Sequence, residues 1–102
     1  MQKEGRLMFV LTGYFELILP YSLSLKDKRK IIQSIIAKHR KRFNISICEI
    51  DYHDLWQRTK IGFSAVSSKS HDLENIVEAI NNHLDFISEI EISCFEYDLI
   101  KH

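Results

Sequence analysis

The chain has 102 residues, 45% of them hydrophobic and 27% charged, and its 14 basic and 14 acidic side chains cancel. That size supports a single two-layer core, expected to span residues 1–102 as one domain with residues 1–7 as a frayed extension. Zero net charge excludes the simple polybasic nucleic-acid binder, whose domain pI is typically above about 9, and two cysteines without a C-x-x-C spacing point to reduced thiols in a cytoplasmic protein.

The first apolar run, "LMFVLTGYFELILP", follows Lys3 and Arg6 and has the outline of a secretory leader. Glu16 interrupts it, no small-residue cleavage site follows, and it is too short to span a bilayer as a helix. Its alternation around Leu11, Gly13, Phe15, Leu17 and Leu19 predicts a strand over 8–19, ended by Pro20, which has no N–H to give a ladder. Ser24, with Asp27 three residues on, makes a capping-box variant. Ile31, Ile32, Ile35, Ile36 and Phe43 then recur at helical spacing, predicting an amphipathic helix that ends near Asn44. His39, at the centre of its apolar arc, is expected to be a core histidine with one hydrogen bond.

"ISICEI" (45–50) reads as a short strand rich in β-branched residues, and "RTKIGFSAVS" (58–67) as a third strand after the polar connection 51–57. Ser70 is expected to cap a second helix, whose Leu73, Ile76, Val77, Ile80, Leu84 and Ile87 keep the i, i+3, i+4, i+7 pattern. Residues 89–100, "EIEISCFEYDLI", form the last strand. Cys48 and Cys94 are read as small packing residues inside their strands. The order βαββαβ predicts an α+β, ferredoxin-like domain: a four-stranded antiparallel sheet, order 4-1-3-2, with two helices on one face. The other face is left open, and Val10, Tyr14 and Ile18 are expected to lie exposed on it, so the chain is expected to form a homodimer or higher oligomer there.

Neutral charge hides a division. The first helix carries Lys26, Lys28, Arg29, Lys30, Lys38, Arg40, Lys41 and Arg42 against one acid, Asp27, whereas residues 70–98 hold eight acids and no lysine or arginine. Arg40, Lys41 and Arg42 suit the helix C-terminus, but Lys26, Lys28, Arg29 and Lys30 crowd the N-terminal turns, where the dipole disfavours cations. Phosphates would offset that cost, so these four are candidate RNA contacts, with no DNA sequence specificity expected. The opposing reading is that the basic helix pairs with its acidic neighbour.

"YHDLWQR" (52–58) holds the only tryptophan. As an anchor, Trp56 would cap the end of the core with Leu55 beneath it, while Asp54 bonds backbone N–H groups. As a recognition corner, Trp56, Gln57 and Arg58 would contact a partner, tryptophan and arginine being favoured at binding hot spots. The residues alone favour the anchor.

No enzyme is expected. The loop after the first strand, "PYSLS", has neither the glycine nor the arginine of an acylphosphatase-like anion cradle, and the spacing supports no Ser/His/Asp or Cys/His set. Five histidines at 39, 53, 71, 83 and 102 show no metal spacing, so no metal or cofactor is expected. "KIGFSAV" has its glycine and aromatic one register away from the stacking strand of RNA-recognition modules, and Phe63 is expected to face the helices.

"LPYSLSLKDKRKIIQSI", "RFNISICEID" and "DLWQRTKIGFSAVS" together resemble the YlxP-like family of small bacterial proteins of unknown function, over about residues 8–100. The resemblance implies a ferredoxin-like fold, and a ribosome or RNA connection, since relatives in some bacteria are encoded beside translation-initiation and ribosome-maturation factors. It also tilts the corner 56–58 toward both roles at once, an anchored corner that presents Gln57 and Arg58. The leading expectation is therefore a non-enzymatic binding protein near RNA or the ribosome, acting through Lys26, Lys28, Arg29, Lys30, Trp56, Gln57 and Arg58. A self-associating interaction module using Tyr14 and Ile18, and an ACT-like small-ligand domain, are the alternatives.

Overall fold

Alternation and helical periodicity become two layers in the structure, a computed structural model that describes residues 7–102. The frayed extension expected over residues 1–7 lies outside the described residues except for Leu7, which is exposed. Six elements follow in the expected order: β1 (Phe9–Ile18), α1 (Leu25–Arg42), β2 (Ser46–Asp51), β3 (Arg58–Ser67), α2 (Ser70–Asp85) and β4 (Glu91–Lys101). All strand pairs are antiparallel and the sheet order is β2-β3-β1-β4, which is 4-1-3-2 read from the other edge. No helix among the described residues is long and apolar enough to cross a membrane.

The register decides which side chains meet the helices. Leu11, Phe15 and Leu17 of β1 and Ile61, Phe63 and Ala65 of β3 are buried, and they join Ile32 and Ile35 of α1 and Leu73, Ile80 and Leu84 of α2 in one core. Phe15, Phe63 and Phe95 form its aromatic centre, with ring centroids 6.0–6.1 Å apart. Gly13 makes room for it: a Cβ there would lie 2.5 Å from Phe63 Cζ and 2.8 Å from the Glu96 carbonyl oxygen. Two irregularities bend the sheet edges, one where β4 slips against β1 beside Glu16 and Leu17, the other where β2 slips against β3 between Glu49 and Asp51.

Helix starts differ from expectation at α2 only. Ser24 caps α1 as expected: its Oγ accepts from Asp27 N at 3.0 Å, and the Asp27 carboxylate accepts from Leu23 N at 3.0 Å. Ser70, by contrast, is the first residue of α2 and does not cap it. Ser67 takes over the entry, accepting from Lys69 N and donating to the Asp72 carboxylate.

Two inward assignments reverse because of strand parity. Cys48 is exposed and Cys94 half-buried, since Cys48 pairs with Gly62 and Cys94 with Glu16 on the face away from the helices, while neighbouring Ile47 takes the inward place. On that same face Val10, Tyr14 and Ile18 are half-buried, not exposed. The Lys60 ammonium sits 4.2 Å from the Tyr14 ring centroid. The exposed apolar groups of this face are Ile50, Val66 and Ile100.

Candidate functional site

The four buried residues of α1 are Lys28, Ile32, Ile35 and His39, spaced i, i+4, i+7, i+11. Lys28 is thus the first member of the core seam, and it is 1% exposed. A buried ammonium must be paired and hydrogen-bonded, and this one is: Nζ lies 2.9 Å from Glu49 Oε2 and donates to the carbonyl oxygens of Tyr52 and His53. The buried Thr59 hydroxyl donates to the same carboxylate oxygen at 2.6 Å. Lys28 therefore cannot contact phosphate. Lys26, Arg29 and Lys30 are exposed, as expected of contacts, though Lys30 faces the groove toward α2, away from the corner.

Lys28 fixes the connection that carries the tryptophan. Tyr52 has φ 64°, in the left-handed region that costs a β-carbon residue about 1 kcal/mol or more. It is held there by Lys28 and Leu55 N on its carbonyl, by Asp51 Oδ1 on its N–H at 2.7 Å, and by the Arg58 guanidinium 4.4 Å from its ring centroid. Asp51, not Asp54, is thus the carboxylate that ties down the turn.

Trp56 is not an anchor. It is 54% exposed, and Leu55, expected beneath it, is exposed as well. Gln57 does the anchoring: its amide donates to the carbonyls of Pro20 and Ser22, at 3.3 and 3.0 Å, and its own carbonyl accepts from Leu19 N at 2.9 Å. Arg58 is tied to Glu16 at 2.9 Å besides lying on Tyr52. Roles within "WQR" are therefore exchanged, with the tryptophan presented and its polar neighbours holding it up.

The Gln57 bonds fasten the β1–α1 loop to the β2–β3 connection, and that loop contributes Tyr21, 76% exposed, and Leu23, 75% exposed. Four large apolar side chains, Tyr21, Leu23, Leu55 and Trp56, are thus displayed at one end of the sheet on braced backbone, with Lys26 and Arg29 in the adjoining first turns of α1. Sequence reasoning missed Tyr21 and Leu23, for which no periodic signal exists. The burial of Lys28 was detectable from its spacing to Ile32, Ile35 and His39.

At the far end of the seam, His39 makes two bonds where one was expected. Its Nδ1 donates to the Ile35 carbonyl at 2.7 Å, and its Nε2 lies 3.1 Å from His83 Nδ1 on α2. Because a carbonyl only accepts, the neutral tautomers are fixed: His39 carries its proton on Nδ1, and His83 donates Nδ1–H to His39 Nε2. Burial lowers the pKa of His39, with His83, Arg42 and Lys38 adding to the effect against the Ile35 bond. Burial, then Lys38 and Arg42, lowers that of His83. No ion pair within 4 Å joins α1 to α2 among the described residues, so the acidic helix does not neutralise the basic one by direct contact. Nor do three or more His, Cys, Asp or Glu side chains converge on a point where a metal could sit, among the described residues.

The fold is similar to that of a solved de novo designed protein, Foldit4, with a TM-score of 0.52 at 10% identity, covering 92% of this chain and 96% of that one. In sequence the chain is 41% identical over 68 residues to the uncharacterized protein YlxP of Bacillus subtilis (strain 168), covering 67% of this chain and 74% of that protein. The model of a family described as "Protein of unknown function (DUF503)" matches residues 10–97, so the chain belongs to that family.

Proposed function

We propose that the protein is a non-catalytic binding protein that engages single-stranded RNA through the Trp56 end of the sheet. The observation that carries this reading is Trp56 itself, a large aromatic held out in solvent by backbone that Lys28 and Gln57 brace through hydrogen bonds, at the same end as the exposed Lys26 and Arg29. Folding gains little from an exposed indole. Aromatic faces on which bases stack, beside cations that follow the backbone, are the chemistry of single-strand recognition, worth about 1–3 kcal/mol per stacked base. A connection to the ribosome is the finer form of this reading.

Exposed Leu23 and Leu55 favour a second reading, a protein partner, because aliphatic side chains offer a nucleotide neither charge nor an aromatic face. One experiment separates the two. Binding of ribosomal RNA fragments is measured by filter retention across a salt series for wild type, Trp56→Ala and the pair Lys26→Gln with Arg29→Gln. RNA binding through about three phosphates gives a slope of roughly −2 in log K against log salt, and each variant weakens it. Absence of salt-dependent retention by the wild type refutes RNA binding and leaves the protein partner.

A further inference from the structure

Helices α1 and α2 do not close on each other along their length. Between them runs a groove of about 390 Å³, within the size range of small-molecule sites. Its apolar lining comes from Ile31 and Ile35 of α1 and Ile87 beyond α2, with Phe86 at its edge 87% exposed. Lys30 and Lys38 line it from α1 and His83 from α2, and a separate hollow on the other side of Lys38 and His83 is lined by Arg42. Its one acid is Glu89, and neither lysine has a carboxylate within 4 Å among the described residues. Unpaired cations above an apolar floor call for an anion that carries a hydrocarbon.

We propose that this groove binds a small organic anion with an apolar tail, the head group between Lys38 and His83 and the tail along Ile31, Ile87 and Phe86. This site is separate from the Trp56 corner and does not depend on that reading. The histidine chain prepares it for charge. With His83 Nδ1–H given to His39, the remaining His83 Nε2 has no hydrogen-bond partner among the described residues. A proton added there leaves the His83–His39–Ile35 chain intact and creates an N–H donor for the anion. The charged or titratable groups facing His83 are His39, Lys38 and Arg42 of α1 and, along the groove, Lys30 and Glu89. The cations among them oppose its protonation, and a bound anion reverses that balance, so binding takes up a proton.

The test titrates the full chain with octanesulfonate, which stays ionised at every pH used, and follows amide and His83 ring signals by NMR at pH about 7.5 and about 5.5. We expect saturable shifts confined to the groove, with Kd on the order of 1 mM, as ligand efficiency allows a molecule this small. Binding should be severalfold tighter at the lower pH, and the His83 titration midpoint should move up in the complex. Lys30→Gln with Lys38→Gln should weaken binding about tenfold, and octanol should not compete. His83→Gln should abolish the difference in Kd between the two pH values. Shifts mapping elsewhere, octanol competing as well as the sulfonate, or the lysine pair having less than a twofold effect would overturn the proposal. Both lysines are solvent-facing, so their replacement leaves folding intact.

Discussion

Lys28 and Glu49 form a buried ion pair, 2.9 Å between Nζ and Oε2, that joins the first turn of α1 to β2 directly beneath the Trp56 connection. The pair accounts for a cation in a helix turn where the dipole disfavours one: the charge belongs to the core, where it donates to the backbone carbonyls of Tyr52 and His53. Lys28→Met should destabilise the fold by about 3–5 kcal/mol, because it strands Glu49 and frees the Tyr52 and His53 carbonyls. Lys28→Met combined with Glu49→Leu should recover part of that loss. A urea melt of the two variants checks both expectations, and equal midpoints would show that the stranded carboxylate is not the cause.

Within the corner, stability and binding should separate. Trp56→Ala should change stability by less than about 1 kcal/mol, as for other exposed positions. Gln57→Ala should cost more, about 1–3 kcal/mol, because the Pro20 and Ser22 carbonyls lose their donor and the two loops come apart. Thermal melts of the two variants decide the order. If Trp56→Ala is the more damaging, the indole packs more tightly than its exposure indicates.

The histidine pair gives a signed pH dependence. Both His39 and His83 titrate below their ordinary value of about 6.5 in the folded protein. The unfolded chain therefore binds more protons below that pH, so the contribution is complete above about pH 6.5 and is lost as pH falls toward the lowered folded values. The urea midpoint should drop between pH 7.5 and 5, a window above the ordinary range of carboxylates. His39→Leu should flatten the drop by removing the buried titrating group. An unchanged slope in that variant would assign the dependence to other residues.

What the sequence revealed and what it hid follow from range. Period-2 and period-3.6 patterns are local, and they placed all six elements and the inward Phe63. Which polar residue joins a seam is decided by partners far along the chain. Lys28 has the spacing of a core residue, but its burial is tolerable only because Glu49, 21 positions on, and the turn at Tyr52 are brought beneath it. The roles within "WQR" likewise turn on whether Gln57 finds the Pro20 and Ser22 carbonyls, 37 and 35 residues away. Cys48 was misread for a simpler reason: in a strand as short as β2, shifting the alternation by one residue exchanges its faces.

The open face of the sheet supports the last prediction, a homodimer. Val10 pairs with Val66 on one side and Ile100 on the other, so the register draws an apolar row across β3, β1 and β4, and Val66 and Ile100 at its ends are exposed. Ile50, over Gly62, adds a third exposed apolar group. Charge on this face is divided, with Arg58 and Lys60 on β3 and Glu91, Glu96 and Asp98 on β4. A two-fold axis across the strands would lay β4 on β4 and set acid against acid. An axis along the strands lays β3 of one copy over β1 of the other, so that Lys60 meets a second Glu16 and the apolar rows overlap. That arrangement is self-complementary, as an isologous interface must be. Sedimentation velocity at micromolar concentration should give about twice the chain mass of 12.1 kDa, and Val66→Lys with Ile100→Lys should return it to the monomer with little change in thermal stability of the fold itself. A wild-type monomer at that concentration would refute the interface, and a dimer that survives both lysines would move it to another surface.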